Sequence, residues 1–145
     1  MNHLLFVCTG NYYRSRTAEE YFNHLAIQYE LPWRADSRGL REDMSESPNV
    51  GPMSKYAIEY LEGLAVPIRK REVMPKSLHE TETADYHMII CMDEQEHRPM
   101  VQDRFPHLDE SIIYWQVRDV QFETPITALE LLRQEVEHLI QQLKS

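Results

Sequence analysis

The sequence predicts an α/β fold: a single-domain three-layer αβα arrangement, with a four-stranded parallel sheet and helices on both faces. Three observations carry this expectation. Short apolar runs alternate with stretches of helical periodicity, the pattern of a parallel sheet whose crossovers are helices. The 145 residues suit one domain with one substantial core. No repeat, low-complexity tract or linker interrupts them, so 1–145 reads as a single domain.

Each element has its own signal. "HLLFVC" (3–8) is short, continuous and apolar, as a strand buried on both faces should be. Ala18, Tyr21, Phe22, Leu25, Ala26 and Tyr29 then share one face of a helix, which Pro32 stops. "WRADS" (33–37) is a second, shorter strand, and a polar loop runs from it to Pro52. Met53, Ala57, Tyr60, Leu61 and Leu64 mark a second helix, with Gly63 near its end. "YHMIIC" (86–91) is the third strand. Asp93 and Glu96 stand at the spacing of a capping box, while Pro99 obscures where that third helix begins. "SIIYWQV" (111–117) is the fourth strand. Thr124 as N-cap and Pro125 in the first helical position open a last helix lined by Ile126, Leu129, Leu132, Val136, Leu139, Ile140 and Leu143.

Composition narrows the chemistry. The net charge of −9 argues against nucleic acid or an anionic membrane as partner. That charge is uneven: residues 1–72 carry −1 and residues 73–145 carry −8. An anionic ligand should therefore prefer the N-terminal half, where Arg14, Arg16, Arg38 and Arg41 lie. No apolar run approaches a membrane span, and Leu4–Cys8 is too short for a signal-peptide core, so the expected compartment is the cytoplasm. Two cysteines, Cys8 and Cys91, make no disulfide framework. The seven histidines show no metal-binding spacing, so neither metal nor cofactor is expected.

In parallel sheets ligands sit beyond the carboxyl ends of the strands. The loops at Cys8–Arg14, Arg38–Arg41 and Asp119 should thus meet on one rim. The first of these is built for an anion. A helix N-terminus offers unpaired N–H groups and about half a positive charge. The amides of Thr9, Gly10, Asn11, Tyr12 and Tyr13 can curl round a tetrahedral oxyanion. Gly10 allows close approach or positive φ, Asn11 tolerates a left-handed φ, and Arg14 can fork two phosphate oxygens. The same field favours a thiolate, and Ser15 can donate its hydroxyl to it. Cys8 is then a nucleophile aimed at phosphorus.

These residues resemble the low-molecular-weight protein tyrosine phosphatase family, whose signature Val-Cys-x-Gly-Asn-x-Cys-Arg-Ser stands here as "VCTGNYYRS" (7–15). "DSRG" (36–39), "NVGPMSKYA" (49–57) and "IICMDE" (89–94) extend the likeness along most of the chain. The resemblance implies metal-independent hydrolysis of phosphotyrosine, in a protein or a small aryl phosphate, through a phosphocysteine. Carried over by position, Cys8 is the nucleophile, Arg14 the phosphate clamp, Ser15 the hydrogen-bond partner of the thiolate and Asn11 the keeper of the loop's shape. The matching general acid is Asp119. Tyr12 and Phe122 are candidate walls for an aryl ring, with Arg41 and Asn49 at the rim.

The chain departs from the family at four places. Tyr13 replaces the second loop cysteine, and Val120 replaces the proline after the general acid. Only Phe122 remains of the aromatic residues beyond that pair. Ile68 stands where some members have a histidine that buttresses the loop. Two other readings stay open at this point: an inactive module binding phosphate or a phosphorylated partner, and an arsenate reductase. The latter needs redox cysteines after the third strand, where only Cys91 lies.

Overall fold

The computed structural model describes residues 1–144; Ser145, the end of the expected domain, lies outside the described residues. Its elements are β1 (Asn2–Cys8), α1 (Arg14–Gln28), β2 (Trp33–Gly39), α2 (Lys55–Gly63), β3 (Met88–Cys91), α3 (Glu94–Arg104), β4 (Ile113–Tyr114) and α4 (Pro125–Lys144), with short 3-10 turns between some of them. The strands form one parallel sheet in the order β2-β1-β3-β4.

β1 is continuously apolar from Leu4 to Cys8 because it is an inner strand covered on both faces. Its side chains alternate between two cores. Leu4, Phe6 and Cys8 point into the larger one, with Phe22 and Ala26 of α1, Leu61 of α2 and Leu132 and Val136 of α4. Leu5 and Val7 point the other way, with Ile89 and Cys91 of β3 and Val101 of α3. Phe6 meets Phe22 edge-on, with ring centroids 5.9 Å apart. Full burial of each such side chain contributes about 1.5–3 kcal/mol.

Two elements, β4 and the start of α3, differ from their sequence expectation. β4 is two residues long rather than seven. β3 ends at Cys91 and the chain turns at Asp93 into α3, so no extended neighbour remains for a longer β4. Beyond it Trp115 and Val117 still donate to the carbonyls of Cys91 and Met92, and Gln116 makes only an isolated bridge to Asp93. Pro99 lies inside α3, exposed, while the helix starts at Glu94. Asp93 caps α3 by accepting from the Gln95 amide at 3.2 Å. Glu96, the other half of the expected capping box, turns away toward β1. No helix among the described residues is long and apolar enough to cross a membrane.

Candidate active site

The site begins where β1 ends. Five residues, Thr9 to Tyr13, separate Cys8 from the first turn of α1. Asn11 takes the left-handed conformation, with φ 48°, and its buried amide fixes the loop from within. Its Nδ2 donates to Ser15 Oγ at 3.0 Å and to Ser37 Oγ at 2.9 Å, and its Oδ1 accepts from the Lys76 amide at 2.9 Å. Ser37 in turn donates to Glu19 at 2.6 Å, and Glu19 pairs with Lys70. The loop is thus tied to β2 and α1. Gly39 at the end of β2 permits this: a Cβ there would lie 2.6 Å from the Thr9 carbonyl oxygen and 3.1 Å from the Asn11 nitrogen.

Cys8 Sγ lies 3.0 Å from Ser15 Oγ, with both side chains buried. Arg14 is buried beside them. Its Nη1 donates to the Val117 carbonyl at 3.0 Å and its Nη2 to Glu96 Oε2 at 3.0 Å, with Asp119 Oδ2 at 3.9 Å. Burial works against the guanidinium charge, but the Cys8 sulfur, Glu96 and Asp119 outweigh it and raise the Arg14 pKa. Glu96 Oε2 also receives the Thr9 hydroxyl, and His97 Nε2 lies 3.2 Å from both groups. The Nδ1 of His97 accepts the Asp93 amide, so Nε2 is its N–H. Burial pushes the Glu96 carboxyl up, yet hydrogen bonds from His97 and Arg14, with the Arg14 charge, hold it well below the usual carboxylate range. It therefore cannot serve as a proton donor near neutrality.

A cavity of about 500 Å³ opens over the loop. Cys8, Thr9, Gly10 and Arg14 lie along it, with Tyr12, Tyr13 and Tyr56 as aromatic walls and Arg41, Asn49 and Asp119 also lining it. The side chains of Asn11 and Ser15, grouped by sequence with the phosphate-contacting residues, are behind the loop and do not line this cavity. Asp119 is one-third exposed and its Oδ1 accepts from the Val120 amide at 2.8 Å. A proline at 120 could not make that bond. Tyr13 fills the position of the missing loop cysteine. Its ring meets Tyr56 edge-on at 6.4 Å, and burial pushes its hydroxyl up to about 12.

Several expected contributors lie elsewhere. Of the four N-terminal arginines, only Arg14 and Arg41 line the cavity. Arg16 donates to the carbonyls of Pro52 and Lys70, and Arg38 pairs with Glu82 at 2.7 Å. Phe122 is not a wall: it is mostly exposed, under the Arg118 guanidinium at 4.2 Å. Ile68 packs against the larger core. Cys91 is buried in β3, where burial and the Cys8 charge push its thiol pKa up, so it is a poor nucleophile. Sequence reasoning missed Glu96 and His97. Their three-residue and four-residue spacing from Asp93 signals only a helix start, and their approach to Thr9 crosses more than 80 positions.

Known proteins share this fold. The profile of the family described as low molecular weight phosphotyrosine protein phosphatase matches residues 3–145. No curated protein sequence matches. Among solved structures, the chain is similar to a low molecular weight protein tyrosine phosphatase from T. tengcongensis, at 23% identity and a TM-score of 0.79, over 98% of this chain and 99% of that one. It is similar to Vibrio vulnificus Wzb in complex with benzylphosphonate, at 19% identity and a TM-score of 0.80, over 97% and 98%. It is also similar to the Bacillus subtilis arginine phosphatase YwlE, as a cysteine-to-serine mutant with a phosphorylated active-site serine, at 22% identity and a TM-score of 0.72, over 94% and 95%. By the family match, which spans nearly the whole length, the chain is a phosphatase that belongs to the low molecular weight phosphotyrosine protein phosphatase family.

Proposed function

We propose that the protein hydrolyses phosphotyrosine, and small aryl phosphates, through a phosphocysteine formed on Cys8. The observation that carries this reading is one cavity with Cys8 and Arg14 along it and Tyr12, Tyr13 and Tyr56 as walls. An aryl ring packs between such walls while its phosphoryl group meets the loop. The amides of residues 9–13 and the free donors of Arg14 take the equatorial oxygens, where charge spreads in the transition state.

In the first step the Cys8 sulfur attacks phosphorus. The S–P bond forms, the P–O bond to the ring breaks, and Asp119 gives its proton to the departing tyrosyl oxygen. In the second, a water oxygen attacks phosphorus, the S–P bond breaks, Asp119 takes the water proton, and orthophosphate leaves. Ser15 steadies the sulfur as it becomes the leaving group, from its place 3.0 Å away. Glu96 holds Arg14 in orientation.

The test is para-nitrophenyl phosphate turnover in EDTA. Wild type should turn over, and Cys8→Ser and Arg14→Ala should each lose activity by orders of magnitude. Phosphate binding by wild type with no turnover would instead favour the binding-module reading. A panel of peptides carrying phosphotyrosine, phosphoserine or phosphoarginine decides the substrate class. Phosphotyrosine should give the highest kcat/KM, and a lead for phosphoarginine would overturn the reading.

A further inference from the structure

Arg41 is anomalous among the arginines of this chain. Nine of the eleven have side-chain partners: Arg14, Arg16, Arg34, Arg38, Arg71, Arg98, Arg104, Arg118 and Arg133 each bond a carboxylate or a carbonyl oxygen. Arg69 has an exposed side chain, for which water suffices. Arg41 is half-buried, and its Nε is buried without a hydrogen-bond partner. Its guanidinium has no carboxylate partner among the described residues. Glu42, Asp43 and Glu46 follow it closely in the chain, yet Asp43 is spent on Ser45 and none of the three pairs with Arg41. In a protein of net charge −9 this cation had every chance of an internal partner.

Its placement is specific. The Arg41 amide donates to the Thr9 carbonyl at 3.0 Å, and its own carbonyl accepts from Ser77 Oγ at 2.7 Å. The backbone is thus pinned to the nucleophile loop, and the side chain lines the same cavity as Cys8 and Arg14. A half-buried guanidinium without a partner is costly unless an anion completes it. Arg14 is committed to the Cys8 end of the cavity, so Arg41 is the cation left for a second anionic group.

We propose that Arg41 is a specificity-determining residue that binds a carboxylate flanking the scissile phosphotyrosine, so that the preferred substrate is phosphotyrosine next to aspartate or glutamate. This deepens, and rests on, the phosphotyrosine reading above. The test compares matched peptides with phosphotyrosine flanked by glutamate or by alanine, on either side. Wild type should show kcat/KM higher by about tenfold for the acidic peptide. The ratio should fall as salt rises. Arg41→Ala should bring the ratio near unity, Arg41→Lys should restore part of it, and Arg41→Glu should reverse it toward a lysine-flanked peptide. A merely structural Arg41 would change both peptides alike.

A wild-type ratio near unity, or a ratio that survives Arg41→Ala, overturns the proposal while leaving phosphotyrosine hydrolysis standing. Absence of turnover on every phosphotyrosine peptide overturns the phosphotyrosine reading instead. Calorimetric binding of the same peptide pair to Cys8→Ser, with and without Arg41→Ala, still decides the role of Arg41 in that case. Equal affinities for the two peptides count against it.

Discussion

Asp119, the proposed general acid, stands one-third exposed just before a turn. One carboxylate oxygen is held by the Val120 amide and the other faces Arg14 at 3.9 Å. The valine amide thus supplies locally some of the restraint that a stiff proline loop would give. Asp119→Asn should lower kcat on phosphotyrosine by roughly 10²–10⁴-fold. The loss should be smaller on para-nitrophenyl phosphate, whose phenolate leaves readily without a proton. Equal losses on the two substrates, measured by steady-state kinetics, would remove Asp119 as the acid. Tyr13 has a different consequence. With Tyr13 in the loop and Cys91 buried in β3, Cys8 has no exposed thiol beside it to trap a sulfenic acid. Peroxide should carry it to sulfinic acid, with poor recovery by dithiothreitol. Full recovery, or a Cys8–Cys91 bond found by mass spectrometry, would overturn this.

At the scale of elements, the start of α3 is the unexpected part of the site. Asp93 caps the helix, and that frees Glu96, one turn in, to receive Arg14, Thr9 and His97 on a single oxygen. Helix α3 thereby locks the Cys8–Arg14 loop to the far side of the sheet. Glu96→Gln should destabilise the protein by about 1–3 kcal/mol at pH 7, since it weakens charge-assisted hydrogen bonds in a buried setting. The sign of the pH dependence follows from the depressed pKa. The contribution is present above the unfolded carboxyl value of about 4.3 and is lost as pH falls toward the lower folded value. Urea unfolding of both proteins at pH 7 and pH 3 checks this: the gap between them should narrow at the acid end.

For the molecule as a whole, binding and folding are linked through the same loop. The proposed anion cradle exists only when β1, α1, β2 and α3 are assembled, so under the proposed function orthophosphate should bind the folded state alone. At a hundredfold excess over its Kd, orthophosphate should add about 2.7 kcal/mol to the unfolding free energy. Arg14→Ala should abolish that increment in thermal or chemical unfolding. An equal increment in the variant would place the binding elsewhere. The acidic C-terminal half contributes Glu96 and Asp119 to the cavity, so the site is a mixed-charge cleft rather than a simple basic one.

The order of strands and helices was readable in sequence because it rests on local periodicity. The apolar run of β1, the stripes of α1 and α4, and the Thr124–Pro125 start of α4 all depend on near neighbours. Cys8, Gly10, Asn11, Arg14 and Ser15 were legible for the same reason: one loop of a few residues contains them. The partners of Arg14 were not. Glu96 and Val117 reach it from 82 and 103 residues away, and a capping box is the stronger local reading of Glu96. The length of β4 likewise depended on where its neighbour β3 stops. Local order is thus set by side-chain spacing, whereas the pairing of charges across the sheet is decided only when the layers close, because burial then determines which carboxylate each cation meets.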